Sequence, residues 1–401
     1  VYKRQLRAMS RSTRLTAVVL AALVAAGCVP GSDDADPFEG RWRSEGFGLY
    51  LDVSGGIDVY EHTSISCALV AGGSGRGSAD LLSLDGGRLL LTEGDRTIAF
   101  DRVEALPERC GDPFRSDDPA EVLAVLVATM TEHYAAFDLR DPGWPDRAAG
   151  AAALIPSDLD EAGLLAAMQE LLGPLGDAQV RLSGPGPDLL PGGTWSADEV
   201  PTGVVDLAGR IRKGEVPGLT GPRLALDGAV VSGLLPGGHG YLAITRLAGF
   251  AEDRDTEERL LADALDDALG SLAEVPGLVI DLRTNRGGRE SLALLVASRF
   301  VTADTVVATR EVRVGGTDRY VGAGDVVVSP LPTGAFPVSA TVLTGPATAG
   351  AAELLVLALR EAGAVLVGEP TAGSLSPLLC LLYTSDAADE GVEVEMAGVG
   401  G

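Results

Sequence analysis

Continuous apolar segments alternate with amphipathic segments over the C-terminal half of the chain. The continuous segments predict strands buried on both faces, and they occupy residues 241–245, 277–283, 338–344 and 364–368. Apolar residues at helical spacing predict helices over residues 254–272, 290–300 and 351–362. This order is typical of an α/β domain with a parallel sheet, whose ligands lie at the carboxyl ends of the strands.

The N-terminal half has a different pattern. Short runs bounded by Gly, Asp and Ser predict a small antiparallel β domain over residues 38–110. Apolar residues at helical spacing after Asp118 predict a helical segment over residues 115–185. The Pro- and Gly-rich stretch 185–217 predicts a long loop or a crossing segment, and the α/β core is assigned to residues 186–379.

Composition excludes one class of partner. The chain carries 31 Lys and Arg against 57 Asp and Glu, a formal net charge of −26 at pH 7. Nucleic-acid binding depends on basic side chains that neutralise phosphates, so this charge argues against a nucleic-acid partner. The three histidines and four cysteines show no ligand spacing, and we expect neither a metal site nor a cofactor.

An export signal stands near the start. The segment after Met9 is basic, continues into apolar residues 15–26 and ends in small residues before Cys28. This pattern predicts a secretory signal peptide over residues 9–27, and its end resembles a bacterial lipobox. We therefore expect Cys28 to carry lipid and residues 28–37 to tether an exported protein to a cell-envelope membrane surface. The alternative is an ordinary signal peptide that happens to contain a cysteine.

The two ends of the chain are related to each other. The residues from Cys380 onward can be back-translated to a particular nucleotide string. The first five residues of the chain can be back-translated to the reverse complement of the same string. That string resembles a transposase end used in sequencing libraries. We therefore expect residues 1–8 and 380–390 to be translated adapter and the natural core to be cut after Leu379, while the origin of 391–401 is unknown. A chance pentapeptide is the alternative.

Two cysteines remain once Cys28 is assigned to lipid and Cys380 to adapter. In an exported protein such a pair, Cys67 and Cys110, is a candidate disulfide. Two buried free thiols are the alternative.

Two Gly-containing turns follow predicted strands at the expected ligand edge. Gly287 and Gly288 offer backbone N–H groups with no side chain in the way, and Ala351 begins a helix with free N–H groups at its positive dipole end. Such groups can bind an oxyanion. Ordinary strand-to-helix turns that use glycine for backbone freedom would explain the same residues.

Three motifs occur in the order found in one enzyme family. They are Asp-Leu-Arg-Thr-Asn-Arg-Gly-Gly at 281–288, Thr-Ala-Gly-Ala-Ala-Glu at 348–353 and Gly-Glu-Pro-Thr-Ala-Gly at 368–373. Together they resemble the tail-specific, or C-terminal processing, serine peptidases, most closely the tricorn-core-like branch, over residues 118–377. The resemblance implies a ClpP/crotonase-like parallel sheet with helices, and a serine peptidase that hydrolyses polypeptides.

The same resemblance places the family's nucleophilic serine at Gly350 and its histidine base at Gln179. Glycine has no oxygen to attack a carbonyl, and glutamine cannot accept the proton that a general base takes up. Ser374 stands where one branch has a catalytic lysine. No spacing predicts that other residues replace the lost pair. The candidates for such a replacement are Ser374, Ser376, Thr348, His133 and His239.

We therefore expect an exported lipoprotein that binds polypeptides or peptide C-termini without cleaving them. One alternative is an active serine endopeptidase whose recorded sequence carries errors at codons 179 and 350. The other is a groove that binds small apolar ligands, which a resemblance to interphotoreceptor retinoid-binding repeats would allow.

Overall fold

The fold is known from a computed structural model. It describes residues 36–73, 82–93, 96–112, 114–116, 118–140, 143–151, 160–177, 180–183, 202–336, 339–374, 378–383 and 392–397. The chain divides into two compact units, each described here by itself. The first contains residues 1–192, 311–323 and 377–399, and the second contains residues 193–310, 324–376 and 400–401.

The first unit begins with a seven-stranded antiparallel sheet. Its strands follow one another in the order β4-β3-β2-β1-β7-β6-β5. They are β1 (Gly40–Ser44), β2 (Leu49–Val53), β3 (Ile57–His62), β4 (Cys67–Gly73), β5 (Leu82–Asp85), β6 (Arg88–Glu93) and β7 (Arg96–Val103). Buried and partly exposed residues alternate strictly along β2 and β3, because successive side chains of a strand point to opposite faces. The predicted antiparallel β domain is confirmed.

A helical segment follows in the same unit. It contains α1 (Pro119–His133), α2 (Phe137–Arg140), α3 (Trp144–Gly150), α4 (Glu161–Leu172), the short strand β8 (Arg181–Ser183) and 3-10 turns at Glu108–Gly111 and Gly173–Leu175. Asp118 caps α1 by accepting the N–H of Ala120, and Asp160 caps α4 by accepting the N–H of Gly163. The helices bury one apolar cluster that includes Tyr134.

The two candidate cysteines are joined. Cys67 at the start of β4 and Cys110 in the first 3-10 turn form a disulfide, with their Cα atoms 5.0 Å apart. The signal peptide, Cys28 and Gln179 lie outside the described residues. Within the described part of the chain, no helix is long and apolar enough to cross a membrane.

The second unit is built around a six-stranded sheet in the order β16-β15-β12-β11-β10-β9. Its elements are α5 (Thr202–Arg212), β9 (Thr220–Ala225), β10 (Val230–Leu234), β11 (Gly240–Ile244), α6 (Arg254–Gly270), β12 (Leu278–Asp281), α7 (Glu290–Ala297), β13 (Thr305–Arg313), β14 (Tyr320–Val328), β15 (Ala340–Thr344), α8 (Ala351–Glu361) and β16 (Val365–Gly368). β13 and β14 form a separate two-stranded sheet. The end of β13, the turn and the start of β14, residues 311–323, belong to the first unit.

The sheet is mixed, and the expectation of a parallel sheet was wrong for two of its five pairings. β11, β12, β15 and β16 pair in parallel, whereas β10 pairs antiparallel with both β9 and β11. The reason is the length of the connections, because only a few residues separate β9, β10 and β11, and a parallel pair needs a crossover of a dozen or more residues.

Both faces of the sheet are covered. Leu242 and Ile244 of β11 pack into the cluster formed with α6, α7 and α8, while Tyr241 and Ala243 pack on the opposite face with Ile211 of α5. The stretch 185–217, predicted as a loop or a crossing segment, therefore contains a helix whose formation depends on packing against the sheet. Helices on both faces leave the carboxyl edge of the sheet free for loops.

The last described strands, β17 (Leu378–Tyr383) and β18 (Val392–Ala397), form a three-stranded antiparallel sheet with β8 in the order β17-β18-β8. They belong to the first unit. The adapter origin of residues 380–390 remains a prediction from the nucleotide pattern.

A buried carboxyl lies inside the first unit. Glu61 shares the inward face of β3 with Ile57 and Val59, and its Oε1 accepts the hydroxyl of Thr129 on α1 at 3.3 Å. Burial raises the pKa of Glu61 to about 8, and this hydrogen bond offsets only part of the rise. The native unit therefore holds a neutral carboxyl at pH 7.

This burial predicts a pH-dependent stability. Because the unfolded chain releases the Glu61 proton near pH 4.5 and the native chain near pH 8, the free energy of unfolding falls as pH rises between these values. Glu61→Gln keeps a neutral acceptor for Thr129, so the parent's stability relative to this variant should decrease steadily from pH 5 to pH 8. The midpoints of urea unfolding of the parent and the variant at four pH values measure this difference in stability. Glu104→Gln, at an exposed position, is the control. A parent-to-variant difference that stays constant with pH would contradict the burial of a protonated Glu61.

Candidate active site

Four loops converge at the carboxyl edge of the second unit's sheet. They follow β11, β12, β15 and β16, and they comprise residues 245–249, 282–289, 345–350 and 369–374. Parallel pairing aligns the strand ends, since Ala243 is level with Asp281 and Asp281 with Leu343. The two turns singled out from the sequence therefore stand side by side.

Gly350 occupies the turn between β15 and α8. It is the N-cap residue of α8, with φ 54° and ψ −123°, a region that favours glycine. Its N–H lies 2.9 Å from Oε2 of Glu353 and 3.1 Å from Oγ of Ser374. The position at which the family resemblance places a nucleophile is thus a sharp strand-to-helix turn without a side chain.

The Glu353 carboxylate ties this turn to the loop after β16. It is 5% exposed, and its Oε2 accepts the N–H of Gly350, the N–H of Ser374 at 2.7 Å and the Ser374 hydroxyl at 2.9 Å. Its Oε1 accepts the Thr371 hydroxyl at 2.6 Å and the Gly373 N–H at 2.7 Å. Five donors satisfy this buried group, as burial of a carboxylate requires.

Asn285 organises the loop after β12. Its buried side chain donates to the carbonyl of Ile244 at 2.9 Å and accepts the N–H of Gly287 at 2.9 Å. Its own carbonyl accepts the N–H of Ala349 at 3.1 Å. One residue therefore connects the loops that follow β11, β12 and β15.

The paired glycines allow backbone segments to touch. A Cβ at Gly287 would lie 2.6 Å from the carbonyl oxygen of Ala349, and a Cβ at Gly288 would lie 2.1 Å from that of Leu247. Both residues also have positive φ, at 85° and 142°. Close approach, rather than flexibility alone, accounts for glycine at these positions.

Two N–H groups remain available at this junction. The Gly287 N–H is engaged by Asn285, but within the described part of the chain the N–H groups of Gly288 and Ala351 donate to no acceptor. Ala351 is the first residue of α8, so its N–H stands at the positive end of the helix dipole. Such donors can bind a peptide carbonyl, a carboxylate or a developing oxyanion.

The residues considered as replacements for the nucleophile and the base have other hydrogen-bond partners or lie elsewhere in the chain. The buried Thr348 hydroxyl donates to the carbonyl of Leu282 and accepts the N–H of Gly345. The Ser374 hydroxyl donates to Glu353.

The candidate histidines lie away from Gly350 or in the first unit. His239 directly precedes β11, at the amino end of the strand and therefore at the opposite edge of the sheet. In the first unit, Nε2 of His133 lies 3.0 Å from the carbonyl oxygen of His62. Ser376 lies outside the described residues.

An ion pair stands beside the site. Arg283 donates through Nε and Nη2 to both oxygens of the buried Asp281, at 3.0 and 2.7 Å, and the Tyr241 hydroxyl donates to Asp281 at 2.8 Å. Burial and the Asp281 carboxylate raise the pKa of Tyr241, and the bond to Asp281 raises the pKa of Arg283. Tyr241 and Arg283 therefore stay protonated near neutral pH, and their bonds to Asp281 fix the end of β12.

The sequence predicts the glycines of the site but not the two polar residues that hold its loops together. Asn285 and Glu353 were read only as members of motifs, although each holds several loops in place. The available signal was their residue type, because a polar side chain among small and apolar residues needs hydrogen-bond partners when it is buried.

Comparison with known proteins agrees with this geometry. Residues 238–377 match the model of peptidase family S41. A candidate peptidase from Parabacteroides merdae aligns at a TM-score of 0.57 with 19% identity, over 71% of this chain and 84% of that chain. A mutant of CPAF aligns at a TM-score of 0.50 with 10% identity, over 70% of this chain and 88% of that chain. These two likenesses show the fold alone.

The family match confirms the resemblance drawn from the three motifs, all of which lie within the matched residues. The fold is an S41-like α/β fold with a mixed sheet and helices, joined to an antiparallel β domain. The finer description as ClpP/crotonase-like stays a prediction.

The close approach at Gly288 predicts a specific sensitivity. Gly288→Ala adds backbone strain and a collision with Leu247, and should lower the free energy of unfolding by about 2–4 kcal/mol. Gly249→Ala is the matched control, because Gly249 also has positive φ but has nothing within 4 Å of a Cβ. It should cost about 1 kcal/mol. Urea denaturation followed by circular dichroism compares the two, and equal losses would contradict the close contact.

Proposed function

We infer, from the membership of residues 238–377 in peptidase family S41, that this protein binds an extended polypeptide at the Gly350 site without hydrolysing it. The observation that carries the proposal is Gly350 itself. This glycine lies on a strand-to-helix turn that is held in place by hydrogen bonds such as the one from its N–H to Glu353. The site keeps its hydrogen-bond donors while its reactive side chain is missing.

Peptide hydrolysis by a serine peptidase needs three parts. An oxygen nucleophile attacks the carbonyl, a base takes the nucleophile's proton, and N–H donors stabilise the oxyanion. Gly350 supplies no oxygen, and the amide of Gln179 is no base at neutral pH. The N–H groups of Gly288 and Ala351 are the part that remains, and binding of a carbonyl or carboxylate oxygen by such groups needs no reaction.

The intact scaffold supports a binding role. Five donors around Glu353 and the contact of Gly287 with Ala349 restrict the backbone tightly. A donor pair held in place before its ligand arrives binds with less loss of entropy. The proposed partners are polypeptides and peptide C-termini, whose carboxylate suits the positive end of α8.

The proposed location is a cell-envelope membrane surface outside the cytosol, with lipid at Cys28. The signal-like segment at residues 9–27 supports export. The disulfide between Cys67 and Cys110 supports it independently, because such bonds persist in oxidising compartments.

A second candidate is an active serine endopeptidase whose recorded sequence is in error. It is favoured by the backbone of Gly350, since a sharp strand-to-helix turn is how some serine hydrolases present their nucleophile. Resequencing the source DNA across codons 179 and 350 decides between the two candidates. His and Ser codons there would establish the peptidase, and Gln and Gly codons would retain the binding protein.

The proposal predicts binding without cleavage. Purified full chain incubated with an array of 12-residue peptides that have free carboxyl termini should retain a subset of them, and mass spectrometry should recover these peptides intact after a day. Gly288→Ala should bind the same peptides more weakly, because the collision with Leu247 displaces a donor. Retention of no peptide, or recovery of fragments, would overturn the proposal.

Restoring the nucleophile alone should not restore hydrolysis. Gly350→Ser places a hydroxyl on the turn, but Gln179 cannot take its proton, so no turnover of the array peptides is expected. The positive φ should also cost about 1–3 kcal/mol of stability, and Gly350→Ala, which carries the same strain, is the matched control. Hydrolysis by Gly350→Ser, absent from parent and control, would show that the base position is not required.

A further inference from the structure

We propose that Glu257, a buried carboxylate on α6, positions the Gly288 N–H for its ligand. The proposal rests on the proposed function, because the ligand is the polypeptide assigned above. The helix that carries Glu257 is rich in acidic residues, and nothing in the sequence distinguishes Glu257 from its acidic neighbours.

Glu257 departs from those neighbours by its burial. It is 1% exposed, whereas Asp255 is exposed and Glu258 is partly exposed. Its Oε1 accepts the N–H groups of Gly249 and Phe250, at 2.5 and 2.9 Å. Its Oε2 forms an ion pair with Nε of Arg289 at 2.6 Å. Each oxygen therefore holds a different loop of the site.

The two loops meet in a short parallel bridge. The N–H of Leu247 donates to the carbonyl of Gly287 at 2.9 Å, and the N–H of Arg289 donates to the carbonyl of Leu247 at 2.8 Å. Glu257 fixes one side of this bridge through residues 249–250 and the other side through the Arg289 side chain. Gly288 stands between these attachments.

This arrangement controls the direction of one donor. The Gly288 N–H belongs to the peptide plane between Gly287 and Gly288, and the bridge anchors that plane through the Gly287 carbonyl. Glu257→Gln keeps an oxygen that can accept the N–H groups of Gly249 and Phe250, but it removes the negative charge paired with Arg289 and places an amide NH2 group beside Nε of that arginine. The bridge then loosens, and the donor is no longer held in place for a carbonyl or carboxylate.

A role in stability alone accounts less well for the ion pair between Glu257 and Arg289 than a role in positioning does. A buried ion pair contributes little net stability compared with apolar residues of the same volume. Positioning of a donor within a fraction of an ångström does require such fixed polar contacts. Glu257 is therefore a positioning residue, which acts on the ligand through Gly288.

The test compares two acidic residues of the same helix. Glu257→Gln in the full chain should weaken the tightest-binding array peptide about tenfold, since a lost positioning interaction is commonly worth that factor. Asp266→Asn breaks another ion pair of α6, with Arg299 at 2.9 Å, and should leave peptide affinity unchanged. Amide hydrogen exchange should become faster at Arg289 and Leu247 in Glu257→Gln only.

Each outcome decides the proposal. Unchanged affinity in a folded Glu257→Gln, or an equal loss in Asp266→Asn, would overturn the positioning role and leave the proposed function standing. If the parent binds no array peptide, the proposed function is wrong. The amide hydrogen exchange of Arg289 then tests the positioning role of Glu257 by itself, and an unchanged exchange rate in Glu257→Gln would overturn that role. If Glu257→Gln does not fold, Arg289→Gln, which removes the charge paired with Glu257, replaces it, and affinity equal to the parent's would be the contrary result.

Discussion

The carboxyl edge of the second unit depends on backbone segments that touch where no side chain fits. Gly287 lies against Ala349, and Gly288 lies against Leu247, at separations that a single methyl group would violate. Parallel pairing of β11, β12 and β15 brings the three loops to the same edge. Asn285 then connects those loops, and Glu353 connects the turn at Gly350 to the loop after β16.

This constraint is the physical basis of the binding function proposed above. The donors and the shape of the site belong to the backbone, and they are fixed by contacts that stabilise the whole edge. The proposal assigns the nucleophile and base positions of a serine peptidase to Gly350 and Gln179, and the backbone contacts around Gly350 do not depend on a side chain at either position. Under the proposal, binding belongs to the backbone and catalysis to two side chains, so that one can be present without the other.

Local patterns in the sequence were sufficient for much of the fold. Continuous apolar runs gave the parallel strands to within a few residues, and the Asp118 and Pro119 pair marked the start of α1. Helix α5 and the antiparallel strands β9 and β10 were not predicted, since Pro and Gly dominate their surroundings and tertiary packing decides their form. Glu257 and Glu61 were missed for a related reason, because residue type predicts exposure and only the packed structure shows their burial.

The central claim is that the Gly350 site holds no serine able to act as a nucleophile. A fluorophosphonate, which reacts covalently with activated serines, tests it directly when the full chain is labelled and mapped by peptide mass spectrometry. The account predicts that no serine is modified, including Ser374, whose hydroxyl lies 2.9 Å from Glu353. A phosphonylated Ser374 would contradict the account and would identify an active peptidase with a displaced nucleophile.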